Sequence, residues 1–220
     1  MYNKGVLMQK GILIICLILF FNGCAGLTAG DRDFPTKVTT RHPSFSIHKA
    51  NGVKFSMLPV RDFSDHYGVD YPIIVMDTFI NEVNRRNPEL DIIKPEAAAG
   101  LVEGAGKGAE YQVFANNCNN NVKYCPQKGE LVALFKNSGI RYIIALNIGG
   151  FDIPVPGVSM VYSVSVTVYD IDYGGEVVYQ ATCDGSVYSD YLEGGAAAYT
   201  NSVMEEATKA IVAKMYAAGN

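Results

Sequence analysis

The chain has 220 residues, of which 49% are hydrophobic and 18% are charged, and this composition is sufficient for one domain with its own core. Its formal net charge is −4, from 18 Lys and Arg against 22 Asp and Glu. A mildly acidic protein has no electrostatic reason to bind nucleic acid, so the composition argues against that class of partner.

The N-terminus carries the pattern of an export signal. Lys4 and Lys10 form a basic region, and residues 11–21 form an apolar run of 11 residues. This run is too short to cross a bilayer as a helix, which needs about 20 residues. Gly23 and Cys24 follow, and a small residue before a cysteine at this place resembles the lipobox of bacterial lipoproteins. The resemblance implies cleavage before Cys24 and diacylation of its thiol.

Cleavage after Ala25 by an ordinary signal peptidase is the alternative, because Gly23 and Ala25 are both small. The lipoprotein interpretation makes residues 1–23 a signal peptide, residues 24–42 a lipidated tether and residues 43–220 a single domain. The membrane is then a partner through the lipid anchor. By analogy with lipoproteins, Ala25 in place of Asp after the cysteine implies the outer membrane, with the domain facing the periplasm.

The first half of the domain is predicted to begin with strands and a helix. Residues 45–48 and 53–60 alternate in hydrophobicity around an Asn-Gly turn signal at residues 51–52, which predicts a short hairpin. After a polar loop, Asp70 can cap a helix and Pro72 fits its first turn. The apolar stripe of this helix is predicted to be Ile73, Met76, Phe79, Ile80 and Val83.

Shorter elements are predicted to follow. Residues 90–93 form a short strand and residues 96–103 a brief Ala-rich helix, and residues 111–128 are predicted to be an irregular insertion. Residues 129–137 are predicted to form another short helix. Residues 142–151 form a strand that is apolar throughout its first half, so we expect it in the interior of the sheet.

The longest predicted element is a hairpin over residues 159–189. Its two halves alternate between apolar and polar residues and are rich in valine and tyrosine, which is typical of long strands. Residues 172–175 supply a turn with two glycines. A last helix is predicted over residues 196–217. The order of elements predicts an α+β fold, in which helices pack on a mixed sheet with a long C-terminal hairpin.

Four segments of the domain carry a family pattern. They are Met-Leu-Pro-Val at residues 57–60, Ser-Gly-Ile-Arg-Tyr-Ile-Ile at residues 138–144, Tyr-Asp-Ile-Asp at residues 169–172 and Gly-Gly-Glu-Val-Val-Tyr at residues 174–179. They resemble the TolB amino-terminal-like fold. That fold is shared by the periplasmic domain of the curli secretion-channel family and by lipoprotein activators of penicillin-binding proteins. Arg141 departs from the pattern, because the family usually has Asp there.

The resemblance implies an envelope accessory protein that binds a partner protein through its TolB-like domain. A subunit of an oligomeric export channel is the alternative that the same resemblance implies. No nucleotide is expected as a partner, because the glycine-rich segment at residues 104–108 lacks the spacing of a phosphate-binding loop. No other cofactor is predicted either.

The cysteines of the domain suggest one disulfide. Cys118 and Cys125 flank a polar segment in an exported chain, and disulfides persist outside the cytoplasm, so we expect these two residues to be linked. Cys183 lies in a predicted strand and is expected to be a small buried apolar residue.

Two weaker sets of candidate site residues remain. Asp62, Asp65 and Asp70 lie in one loop with His66, where carboxylates can bind Ca²⁺, serve an exported hydrolase or face solvent. No nucleophile elbow or zinc-binding histidine pair occurs, so we expect no enzymatic activity and propose no catalytic residue. The second set is Tyr173, Tyr188 and Tyr191 near the hairpin ends, which suit either a binding surface or an ordinary solvated strand.

We predict that replacing Cys24 with alanine releases the protein from membranes, because the variant has no thiol to acylate. Fractionation of cells that express the wild type or Cys24→Ala tests this, with Cys16→Ala as the matched control inside the signal segment. Membrane association of Cys24→Ala equal to that of the wild type would show that the lipobox interpretation is wrong.

Overall fold

The structure, a computed structural model, describes residues 34–63, 70–120, 126–150, 157, 159–188 and 195–217. These residues belong to the second of two units, Phe34–Asn220. The described strands are β1 (Thr36–Arg41), β2 (Lys54–Met57), β3 (Arg61–Asp62), β4 (Asp91–Ile93), β5 (Ile140–Ile148), β6 (Ser159–Asp170) and β7 (Glu176–Tyr188). The described helices are α1 (Tyr71–Arg86), α2 (Pro95–Gly104), α3 (Gly108–Asn120), α4 (Lys128–Phe135) and α5 (Gly195–Ala217). Across these residues, no helix has both the length and the apolar character that a bilayer crossing requires.

The strands form one mixed sheet in the order β1-β7-β6-β5-β2-β4, with β3 also pairing to β5. Strand β2 runs parallel to β4 and β5, whereas β5, β6, β7 and β1 are successively antiparallel. The predicted α+β class is therefore confirmed, and β5 lies in the interior of the sheet as expected. The predicted long hairpin is also confirmed, since β6 and β7 pair along their whole length.

The turn of this hairpin encloses a buried charge. Gly174 and Gly175 have φ angles of 71° and 73°, which glycine adopts without strain. Asp170, at the end of β6, is only 1% exposed. Its carboxylate accepts a hydrogen bond from the backbone N–H of Tyr173 at 3.2 Å and pairs with Arg141 Nη2 at 3.0 Å. Arg141, the residue that departs from the family pattern, thus neutralises a carboxylate that closes the hairpin.

Two hydrophobic cores lie on opposite faces of the sheet, because successive residues of β5 point to opposite sides. Ile144 and Leu146 belong to the first core, which packs β5, β6 and β7 against α1 and α5. Ile143 and Ala145 belong to the second core, which packs the sheet against α2, α3 and α4. Cys183 is fully buried in the first core, as its strand position predicted.

The predicted tether over residues 24–42 is wrong at its C-terminal end. Residues 36–41 form β1, which pairs with β7 at the edge of the sheet, and the unit begins at Phe34. The ring of Phe34 lies 5.3 Å from that of Tyr162, and Val38 also packs on the first core. An edge strand with a single apolar residue carries almost no local signal, so its pairing partner determines its structure.

Two shorter predictions are also corrected. Residues 111–120 of the predicted irregular insertion belong to helix α3, whose Tyr111, Phe114 and Cys118 are buried at helical spacing. The strand predicted over residues 45–48 is replaced by a 3₁₀ turn at Ile47–Lys49.

We predict that a chain beginning at residue 43 is less stable than one beginning at residue 34. The shorter chain loses the β1–β7 pairing and the packing of Phe34 and Val38 on the first core. We expect a loss of about 3 kcal/mol or more, equivalent to a fall of roughly 6–12 °C in Tm for a domain of this size. Thermal unfolding of the two chains measures the difference. Equal Tm values would show that residues 34–42 do not stabilise the domain and would support the predicted tether.

Candidate functional site

A groove of about 330 Å³ lies beside the carboxyl ends of the parallel strands β2 and β4. Strand β2 leads into Pro59 and Val60, and β4 leads into Pro95, and all three residues line the groove. In open sheets with parallel strands, ligands bind outside this end of the strands. The volume also falls within the range of small-ligand pockets, about 300–1,000 Å³. The groove is therefore the candidate functional site.

Three helices form its walls, and their prolines make it rigid. Pro72 and Pro95 stand in the first turns of α1 and α2, where proline is favoured because its missing N–H would have no partner in the helix. With Pro59, they present three apolar rings whose backbone φ is fixed. Such a wall loses little conformational entropy when a ligand binds, so the groove is preorganised.

Helix α1 contributes two apolar side chains that sequence reasoning assigned to its buried stripe. The side chains of Ile73 and Met76 line the groove, and Ile73 is 49% exposed. The residues of α1 that are buried are Tyr71, Val75, Phe79, Ile80 and Val83. The helix thus carries more apolar residues than its buried stripe requires, and this surplus is the sequence signal that could have revealed the groove.

Tyr111 joins two of the walls. It is buried, and its hydroxyl donates a hydrogen bond to the carbonyl oxygen of Pro95 at 2.9 Å, which ties α3 to the start of α2. Burial is the largest cause that raises the pKa of Tyr111, to about 12, so the phenol stays neutral at physiological pH. Its role is therefore to fix the shape of the groove and not to exchange protons.

The lining contains one ionisable carboxylate, that of Glu96 in the first turn of α2. The nearest lysines on either side in sequence are already paired, Lys94 with Asp77 at 2.8 Å and Lys107 with Glu110 at 2.9 Å. Among the lining residues, Glu96 thus has no second acid or base with which to share acid–base chemistry. The arrangement suits binding of an apolar group.

The acidic loop predicted from the sequence is only partly described. Asp62 lies in β3 and Asp70 immediately precedes α1, whereas Asp65 and His66 lie outside the described residues. The part of the chain that the structure describes contains no group of three or more His, Cys, Asp or Glu side chains that could hold a metal. Asp70 caps α1 through its backbone carbonyl and not through its side chain. Metal binding and hydrolysis by this loop stay predictions.

The structure describes two of the three predicted tyrosines, Tyr173 and Tyr188, and places them at opposite ends of the hairpin. Tyr173 is 56% exposed in the turn of the hairpin, where its ring lies 5.2 Å from that of His42. Tyr188 is 63% exposed at the far end of β7, and Tyr191 lies outside the described residues. A strand of this length separates the first two by about 40 Å, so they cannot form one compact binding surface.

The predicted Cys118–Cys125 disulfide is not present in the structure. Cys118 is a free thiol, and its side chain lies in the second core on the same side of α3 as Phe114. Residues 108–120, which include Cys118, form helix α3, and this places the sulfur inside the domain. Cys125 and the predicted lipidation site, Cys24, lie outside the described residues.

No protein-family model and no curated protein matches this chain. A solved structure with a similar fold is the PelC dodecamer from Paraburkholderia phytofirmans, 13% identical, covering 83% of this chain and 97% of that one with a TM-score of 0.48. The C-terminal domain of LpoB from Salmonella enterica is 10% identical and covers 67% and 87% with a TM-score of 0.42. Lipoprotein GNA1162 from Neisseria meningitidis is 12% identical and covers 74% and 97% with a TM-score of 0.43.

One of these neighbours, GNA1162, is a lipoprotein. All three TM-scores are below 0.5, so the description of the fold rests on the strand order and the packing given above.

We predict that Cys118 resists alkylation in the folded protein. Burial is the largest cause that raises the pKa of its thiol, to about 11, so at pH 8 only about one molecule in a thousand carries the reactive thiolate. Peptide mapping after labelling should find Cys118 unmodified in buffer and modified in urea without reductant. If modification requires both urea and reductant, Cys118 is in a disulfide and the sequence prediction is correct. The Cys118→Ser variant is the control that identifies the labelled peptide.

Proposed function

We propose that this protein is a lipid-anchored accessory protein of the bacterial envelope, which binds a partner protein through the groove and catalyses no reaction. The observation that carries the proposal is the lining of the groove, which is rigid and mostly apolar, with the Glu96 carboxylate and the Gln112 amide among its polar groups. Ile73 supports it further, because its exposed side chain adjoins the apolar side chains of the lining, and contiguous apolar surface is typical of interaction sites.

The lipid anchor would restrict this contact to a layer close to the membrane. Residues 24–35 precede β1, and a chain of that length spans at most about 40 Å when fully extended. Confinement to such a layer raises the effective concentration of the domain toward any partner in the same membrane. A weak contact in a small groove can therefore serve a function that it could not serve in free solution.

The export-channel alternative places a second copy of this chain, and not a different protein, against the domain. PelC, one of the neighbours, is a dodecamer. The alternative and our proposal differ in the composition of the complex that forms in the envelope, so one crosslinking experiment separates them.

We predict that a photoreactive amino acid in place of Ile73 crosslinks the full-length, membrane-anchored protein to a different protein in cells. Val161 is the matched control, because it is 48% exposed, against 49% for Ile73, and lies on β6 away from the groove. The product should appear with Ile73 and not with Val161. A ladder at multiples of the mass of this chain would favour the export channel, and equal products or none from both sites would contradict the groove.

A further inference from the structure

The charge of the groove indicates which partner segment it accepts. We propose that the groove binds an aromatic side chain of a partner protein whose neighbouring residue is Lys or Arg. The inference rests on the proposed function, because it specifies the ligand of the same site.

The apolar lining favours an aromatic ring. The rings of Pro59, Pro72 and Pro95 give flat apolar walls that do not move on binding. Met76 adds a polarisable thioether, and sulfur makes favourable contacts with the edges of aromatic rings. An aromatic ring gains a large buried area at a low cost in side-chain entropy, which a small rigid groove can use fully.

Glu96 gives the groove its net charge. Lys94 is neutralised by Asp77 and Lys107 by Glu110, and among the described residues no salt bridge reaches Glu96. The pKa of Lys94 is raised first by its hydrogen bond to Asp77 and also by Glu96, and Glu96 likewise contributes, after burial, to the raised pKa of Tyr111. Glu96 is thus the one charged side chain of the lining, and its exposed carboxylate attracts a cation that enters beside the ring.

A partner segment with an anionic or neutral residue next to the aromatic residue would fit the same groove but would lack the attraction to Glu96. The carboxylate is exposed, so the preference is that of a surface ion pair and depends on ionic strength. A preference of this size selects among partner segments that share an aromatic residue, whereas the apolar walls provide most of the affinity.

The protein contains no tryptophan, so the fluorescence of a tryptophan peptide can be followed without background. The probes are three capped tetrapeptides, Gly-Trp-X-Gly, with X as Lys, Gln or Glu, titrated with the full mature protein in vesicles of zwitterionic lipid. At low salt we expect the Lys peptide to bind about threefold more tightly than the Gln peptide and about tenfold more tightly than the Glu peptide. The differences should disappear near 1 M salt, where the Debye length is about 3 Å.

Variants of the protein test whether the order of affinity among the three peptides arises in the groove. Glu96→Gln should remove the order among the peptides, whereas Glu103→Gln, the same change two turns along α2 and outside the lining, should keep it. Ala99→Phe fills the groove and should abolish binding of all three peptides, and its thermal unfolding must match that of the wild type. Empty vesicles of the same lipid correct for peptide that binds lipid.

The outcomes separate this inference from the proposed function. Equal binding of the three peptides, or an order that persists in Glu96→Gln, overturns the charge preference and leaves the groove as a binding site. Absence of peptide binding together with a crosslink from Ile73 overturns the aromatic ligand but not the proposed function. Absence of both peptide binding and the crosslink overturns the inference and the proposed function together.

Discussion

Strand β5 is buried on both faces, and both hydrophobic cores depend on it. Ile144 and Leu146 face the core that contains α1 and α5, while Ile143 and Ala145 face the core that contains α2, α3 and α4. Each large apolar side chain that is fully buried contributes about 1.5–3 kcal/mol. Because the two sets alternate along one strand, a shift of β5 by one residue would exchange them, and each core would receive side chains of the wrong size. The register of β5 is thus the constraint from which the rest of the domain follows.

The position of β5 also explains why the groove exists. On one side it pairs with the antiparallel hairpin of β6 and β7, which needs only a tight turn, and on the other side with the parallel strand β2. Parallel strands require crossover connections, and here helices supply them. Helices α1 and α2 consequently both begin near the ends of β2 and β4, with Pro72 and Pro95 in their first turns. The groove is the space that these two helix starts leave, so the mixed sheet itself produces a preorganised site.

The sequence predicted the elements whose signals are local. The alternation of β6 and β7 and the glycines between them specify a hairpin without help from the remainder of the chain. The sequence does not predict strand β1, because Val38 is the one apolar residue of this strand. The strand forms through its pairing with β7. Ile73 and Met76 were assigned to the core because spacing shows that a helix is amphipathic but not which of its apolar residues the sheet covers. The sequence therefore shows that α1 has a surplus of apolar residues, but tertiary packing decides which of them stay exposed in the groove.

The placement of charge in the domain follows from how deeply each group is buried. Asp170 is buried, and a buried carboxylate without a partner would cost several kcal/mol, so its pairing with Arg141 at 3.0 Å is a structural requirement. The pair of Lys94 and Asp77 is half-exposed and adds little stability, because water and salt screen it. Its consequence is electrostatic, since it cancels the positive charge that would otherwise lie beside Glu96. With its nearest lysine already paired, the Glu96 carboxylate is left to favour a cationic residue beside the proposed aromatic ligand, so residues that contribute little to folding give the site its charge preference.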